Sequence, residues 1–254
     1  MERFVYGSEQ FRDRLGDDAH LAGELEFLGS VVRPGMHVMD IGANRGVTTV
    51  AIAKAVGASG RVYAFEPVPE YYAELQSNLS RNGVDNVRTY MLALSDRTGR
   101  IPFYRHGEGS GVTPAGGATK ISVKAASLPD VLAKCEIARI DLINLDCEGS
   151  ELLVLRAGQA VLQRHGPGIF CEIHHGYLRE LGQSADAVVE LLRSIGYEVR
   201  PIQVTDLSAA TSFGECSHIY AFQRGPLGNS QTRTTAAAGR PASDGGGRGP
   251  RAVP

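Results

Sequence analysis

Val38-Met39-Asp40-Ile41-Gly42-Ala43-Asn44-Arg45-Gly46 is an apolar run that ends in an acid and turns through two glycines into a helical pattern. Glycines at such a turn let the backbone approach a ligand and aim amide N–H groups from a helix N-terminus. About twenty residues on, Arg61-Val62-Tyr63-Ala64-Phe65-Glu66-Pro67 is a second apolar run ending in an acid. A carboxylate at that place accepts both hydroxyls of a ribose, and the two elements together specify an adenosine-type ligand.

The turn discriminates between adenosine ligands. Its spacing is not G-x-G-x-x-G, and Arg45 and Val47 stand where close contact with a pyrophosphate wants small residues. Asp40 would repel a diphosphate, yet it suits the cationic sulfonium and ammonium groups of S-adenosylmethionine. The expectation is therefore methyl transfer, which asks the protein for electrostatic complementarity and alignment with the acceptor.

A second acidic cluster follows another apolar run: Leu145-Asp146-Cys147-Glu148-Gly149-Ser150-Glu151. Asp146 interrupts a strand end, whereas Glu151 reads as a helix-start carboxylate favoured by the dipole. Cys171-Glu172-Ile173-His174-His175 closes the next run, and its alternation puts Glu172 and His174 on one face. An alcohol acceptor must lose its proton or be polarised, which leaves two readings for the catalytic residues Asp146, Glu172 and His174. His174 acts as a general base oriented by a carboxylate, or the three residues bind Mg²⁺, a less typical partner for imidazole.

Alternating strand and helix patterns position these residues. Strands are expected at His37–Ile41, Arg61–Phe65, Val87–Leu92, Ile140–Leu145, Ile169–Ile173, Tyr197–Val204 and Ile219–Phe222. Helices are expected at Val47–Val56, Glu70–Arg81, Glu151–Gln163 and Ala185–Ile195, with Ser184 as an N-cap and Gly57 and Gly196 past helix ends. This alternation calls for a parallel sheet with helices on both faces over residues 35–224. An antiparallel excursion at about residues 96–126, built on Arg100–Arg105 and Lys120–Lys124, surrounds a Gly-rich tip expected to be mobile. Residues 1–34 read as a helical cap across the mouth of the domain. Residues 225–254, almost without large apolar side chains, read as a disordered tail.

Composition excludes some function classes. The net charge of −2, from 26 basic and 28 acidic residues in 254, disfavours a nucleic-acid partner. The four cysteines form no C-x-x-C pair, which argues against a zinc knuckle or a dithiol redox pair. No apolar run is long enough to span a membrane, and the N-terminus lacks a signal peptide's apolar core, so a cytoplasmic location is expected. A nicotinamide oxidoreductase lacks its diphosphate loop and any Tyr-x-x-x-Lys relay here. An RNA or other macromolecule methyltransferase and a non-catalytic cofactor-binding module remain the alternatives.

Five segments carry a resemblance: Asp40–Gly46, Ala64-Phe65-Glu66-Pro67, Ala93-Leu94-Ser95-Asp96, Leu145–Glu151 and Cys171–His174. In type and order they resemble the FkbM family of methyltransferases, with Asp-x-Glu-Gly-x-Glu as the family-specific element. Where that family usually carries lysine, two residues before Asp146, this chain has Asn144. The resemblance implies a Rossmann-like α/β fold whose seven-stranded, mostly parallel sheet has helices on both faces and an antiparallel last strand. It implies S-adenosylmethionine as donor and O-methylation of a small molecule such as a secondary metabolite, sugar or lipid-linked glycan. By position, Asp40, Gly42, Ala43, Asn44 and Gly46 take the methionine part, Glu66 the ribose, and Leu94, Ser95 and Asp96 the adenine, with Asp146 counted among the cofactor-binding residues.

Overall fold

The computed structural model describes residues 18–107, 109–114, 117–205 and 212–223. The expected tail at 225–254 and the first part of the expected cap lie outside the described residues. Seven strands form the main sheet: β1 (His37–Ile41), β2 (Arg61–Phe65), β3 (Val87–Tyr90), β7 (Leu142–Leu145), β8 (Gly168–Glu172), β9 (Glu198–Ile202) and β10 (His218–Phe222). Their order is β3-β2-β1-β7-β8-β10-β9. All neighbours are parallel except β10, which runs antiparallel to both β8 and β9. The chain leaves β1 toward β2 and β3, then returns to β7 on the other side of β1. Such a reversal opens a crevice at the carboxyl ends of the two central strands.

Alternation along the strands assigns the two faces. Val38 and Val62 point to one side, where α1 (Ala19–Val31) and α2 (Val47–Val56) bring Leu28, Ile52, Ala53 and Val56 against them. Ala64 continues that side under α3 (Pro69–Arg81), packing with Leu75 and Leu79. Met39, Ile41, Tyr63 and Phe65 point to the other side, the larger half of the core. It is covered by α4 (Leu128–Lys134), α5 (Glu151–Ala157), α6 (Gln159–His165) and α8 (Ala185–Ser194). Burying each large apolar side chain contributes about 1.5–3 kcal/mol, so these two layers hold the strand ends in place.

The expected elements occur with informative differences. The run Val87–Leu92 stays in the main sheet only to Tyr90; the chain then turns and gives β4 (Ala93–Leu94) to a second sheet with β5 (Gly99–Arg105) and β6 (Thr119–Ala126), in the order β4-β6-β5. The helix expected at Glu151–Gln163 is two helices, because Gly158 at φ −88° and ψ −1° ends the first ladder and begins the next. Two short helices were not legible, α4 behind its N-cap Ser127 and α7 (His175–Glu180). Ser184 caps α8 as expected, accepting the N–H of Ala187.

The helix α1 packs into the core, and only its first turn reaches the carboxyl edge of the sheet. Asp18 caps that turn by accepting the N–H groups of His20 and Leu21. Phe27 stacks on Phe170 at 4.5 Å and meets the edge of Tyr220. Gly23 sits directly on the backbone of Val204, where any side chain would collide with the carbonyl.

The Gly-rich tip, of which residues 108 and 115–116 are not described, is tied down where it is described. Gly111 bridges Tyr104, and the Tyr71 hydroxyl donates to the Gly107 carbonyl at 2.8 Å.

Candidate active site

The crevice is an open cleft of about 560 Å³ beyond the carboxyl ends of β1, β2 and β7. Gly42, Asn44, Glu66, Leu94 and Asp146 line it, together with Phe65, Leu92, Cys147, Glu148 and Ser150. Phe103 of β5 and Ser110 and Val112 of the loop after it also line the cleft. Gly42 has φ +88° and passes so near Asp146 that a Cβ would fall on the Asp146 carbonyl oxygen. No other residue type fits there without moving one of the two central loops.

Glu66 is 5% exposed at the end of β2. Its two oxygens accept the N–H groups of Asn44 at 2.9 Å and Val68 at 2.7 Å. Burial raises its pKa to about 7, although those two N–H groups and their partial charges pull the other way. Each oxygen keeps a second lone pair, so the carboxylate can hold the glycine turn in shape and still accept from a diol in the cleft. Phe65, Leu92 and Leu94 provide the apolar flank beside it.

Of the residues expected to hold the cofactor, Asp40, Ala43, Gly46, Ser95 and Asp96 stand away from the cleft lining. Asp40 is fully buried: it pairs in register with Asn144, accepts from its Nδ2 at 2.9 Å, and accepts from the Thr49 hydroxyl at 2.5 Å. Alternation along β1 explains this, since Asp40 shares the α2 side with Val38 and lies beneath the turn. Burial raises its pKa, against the two hydrogen bonds. Asp40 therefore clamps β1, β7 and α2 together, with Asn144 as its donor. Ala43 is 4% exposed and packs with Val50 and Ala64, while Gly46 lies against Leu75. Ser95 has turned inward, its N–H given to Ala126 and its hydroxyl donated to Asp96.

Beyond β7 and β8 the second acidic cluster closes around His174. Its Nδ1 lies 2.7 Å from Glu151 Oε1, and its Nε2 lies 3.2 Å from Glu148, 3.6 Å from Asp146 and 3.7 Å from Glu172. Burial alone would lower the imidazole pKa, but the Glu151 hydrogen bond and the Asp146 and Glu148 charges more than reverse it, to about 10. His174 is thus a cation at neutral pH with both ring nitrogens protonated. An imidazolium has no free lone pair with which to take a proton from an acceptor. The Mg²⁺ alternative fits poorly too. Mg²⁺ prefers an octahedron of oxygens over a set containing imidazole.

Glu151 is the residue that sequence reasoning undervalued. It is 0% exposed and accepts both from His174 and from the Gly149 N–H at 3.0 Å. Its position at a helix start gave a sufficient dipole explanation, and only the buried partner across 23 residues reveals the second role. Asp146 faces the cleft with a side chain 38% exposed, yet its Oδ1 is enclosed and without a hydrogen-bond partner. That enclosure, with the charges of Glu172 and Glu148, holds its pKa well above the ordinary carboxylate value, and His174 opposes the rise. Glu172 faces the opposite way from the cleft: burial would raise its pKa, but His20, His174 and His218 bring it down to about 2.

Comparison with known proteins gives a consistent picture. Residues 40–199 match the family described as the methyltransferase FkbM domain. The 31-O-demethyl-FK506 methyltransferase FkbM of Streptomyces tacrolimicus is 29% identical over 228 residues, covering 71% of this chain and 85% of that protein. The 2-O-methyltransferase NoeI of Sinorhizobium fredii is 26% identical over 151 residues, covering 52% of this chain and 61% of the relative. Among solved structures, a methyltransferase FkbM from Methylobacillus flagellatus superposes with a TM-score of 0.51 at 18% identity. That match covers 84% of this chain and 57% of the other, so this chain spans little more than half of it. The likeness establishes the α/β fold with its mostly parallel seven-stranded sheet.

Proposed function

This chain belongs to the FkbM methyltransferase family, and from that premise we propose that it moves the methyl group of S-adenosylmethionine onto a hydroxyl oxygen of a small molecule. The observation that carries the reading is Glu66: a buried carboxylate at the end of β2, bonded to the glycine turn and facing the cleft with accepting capacity to spare. S-adenosylmethionine supplies a methyl group already activated by its sulfonium charge.

The protein's own residues then bind, orient and take a proton. The Gly42–Asn44 turn and Glu66 hold the ribose side, and Phe65, Leu92 and Leu94 flank the base. Phe103 and Val112 keep water from the reacting end. Asp146 is the general base of this proposal. It borders the cleft with a side chain 38% exposed, and burial with the neighbouring carboxylates raises its pKa well above the ordinary value. His174 is a positioning residue, the cation that opposes the rise of the Asp146 pKa while Glu151 fixes its ring. Glu172 stands one residue further back, against His174 and His20. The names of the relatives quoted above, two of them acting on numbered oxygens, support oxygen as acceptor.

Calorimetry on the full chain tests the donor. One-to-one binding of S-adenosylmethionine with no measurable binding of NAD⁺ is expected. Binding of NAD⁺ in preference would overturn the reading, because it would mean that the turn accepts a diphosphate.

A further inference from the structure

The first turn of α1 brings two side chains, His20 and Glu24, to the carboxyl edge of the sheet, where Glu172 ends β8 and His218 begins β10. These four residues come from three separate elements, and each directs one ligand-type atom to a common point, all within 4.8 Å of one another. Among the described residues, no lysine or arginine forms an ion pair with this quartet.

The separations have the dimensions of a coordination shell. His218 Nε2 to Glu24 Oε1 is 2.9 Å, His20 Nε2 to Glu172 Oε1 is 3.2 Å, and His20 Nε2 to Glu24 Oε1 is 3.7 Å. Four ligands at metal–ligand distances of about 2.0–2.1 Å in a tetrahedron stand about 3.3 Å apart, so these three separations bracket the edge required, and the remaining pairs lie within 4.8 Å.

His20 Nε2 is an enclosed nitrogen within ion-pair distance of two carboxylates, Glu172 at 3.2 Å and Glu24 at 3.7 Å.

His218 is oriented as a ligand would be. It is 1% exposed and stacks on Phe170 at 4.5 Å, which fixes the ring plane. Its Nδ1 lies 3.1 Å from the Ser217 hydroxyl. That hydroxyl already accepts from the Val204 N–H and donates its own hydrogen to the Ile202 carbonyl. With Nδ1 taken by Ser217, which is itself anchored to the backbone, Nε2 is the nitrogen that faces Glu24 and the cluster. A backbone-anchored partner on the other ring nitrogen is the usual support of a metal-bound imidazole.

We propose that His20, Glu24, Glu172 and His218 form a binding site for a divalent transition-metal ion of the zinc type. Two imidazoles with two carboxylates suit Zn²⁺ and its first-row neighbours, and suit Mg²⁺ and Ca²⁺ poorly. The two carboxylates neutralise the charge of the ion. The ion ties α1 to β8 and β10 and stands one carboxylate away from His174, since Glu172 Oε1 is 3.7 Å from His174 Nε2. The site does not depend on the methyl-transfer reading.

The test uses the full chain, purified without a metal-affinity tag, stripped with chelator and titrated with Co²⁺ and Zn²⁺. One equivalent of Co²⁺ is expected to give the intense visible d–d bands of a four-coordinate ion, displaced by Zn²⁺, and Zn²⁺ should raise the melting temperature. His20→Asn and Glu24→Gln, both on the outward turn of α1, should weaken binding about a hundredfold or more. His218→Ala is a third variant, read only if its circular dichroism is native, because of its stacking on Phe170. Asp146→Asn, in the neighbouring cluster of Asp146, Glu148 and His174, should leave the d–d spectrum unchanged. Absence of stoichiometric binding overturns the proposal. So does binding that survives in both His20→Asn and Glu24→Gln, or that is lost in Asp146→Asn, since the ion would then sit elsewhere.

Discussion

Replacing Glu66 by Gln isolates the carboxylate on which the cofactor reading rests. Gln keeps the shape and one acceptor, so one of the Asn44 and Val68 N–H groups retains a partner. What is lost is the charge and one accepting oxygen toward the cleft. A hydrogen bond to a charged group contributes about 1.5–3 kcal/mol, which corresponds to a loss of roughly 12- to 160-fold in S-adenosylmethionine affinity at pH 8. The pH dependence is a second signature. With its pKa near 7, Glu66 is mostly protonated at pH 6 and mostly ionised at pH 8, so the native affinity should rise about tenfold across that interval. The variant should show no such rise. Stability has the opposite sign. A carboxyl raised above its unfolded value of 4.5 stabilises the fold below that value, and the contribution is lost as pH rises through 7. The ligand-free native protein should therefore lose on the order of 3 kcal/mol between pH 4.5 and 7 from this group, and Glu66→Gln should remove that slope. Calorimetry at pH 6 and 8, on variants of verified native circular dichroism, measures the first effect and denaturant titration the second. An unchanged dissociation constant at pH 8 would refute Glu66 as the ribose ligand.

Gly42→Ala should abolish measurable cofactor binding and lower the melting temperature, because a Cβ at φ +88° meets the Asp146 carbonyl; a variant that binds normally would show that the two loops are not locked together. His174→Gln removes the cation beside Asp146, so the Asp146 pKa rises further. Methyl transfer should then fall about a hundredfold at pH 7, with the acid limb of the pH–rate profile moved to higher pH; an unmoved limb would remove His174 from proton handling. Thr49→Val leaves a buried Asp40 oxygen without its donor and should cost about 1–3 kcal/mol of stability while cofactor affinity stays within a few-fold; a large affinity loss would place Asp40 at the ligand after all.

What the sequence revealed follows from what period and turn chemistry encode. The strands His37–Ile41 and Arg61–Phe65 are read to the residue, since each is an apolar run closed by an acid and a breaker. The glycine turn, Glu66 and the Asp146 loop were legible as site residues because strand ends in such a sheet share one crevice. Asp40 was legible as an acid at a strand end, but not as a buried clamp. Its direction depends on which face α2 covers, and its donor Asn144 lies 104 residues away. The same limit applies to His174. Its type and strand end suggested a base, and only the convergence of Glu148, Glu151 and Asp146 raises its pKa to about 10. The quartet of His20, Glu24, Glu172 and His218 spans 198 residues with no motif spacing, so pattern reading had nothing to detect. The break at Gly158 was hidden because a helical apolar period runs through it on both sides.

The central claim, methyl transfer to oxygen at this cleft, is tested most directly by incubating the full chain with S-adenosylmethionine labelled in its methyl group. The acceptors are a panel of hydroxylated metabolites, sugars and glycolipid headgroups, each paired with its deoxy and amino counterparts. Appearance of the label as an O-methyl ether in a hydroxylated member, with none in its deoxy partner and loss of product in Asp146→Asn, is the predicted result. Label recovered on nitrogen or carbon, or undiminished O-methyl product in Asp146→Asn, would contradict the account.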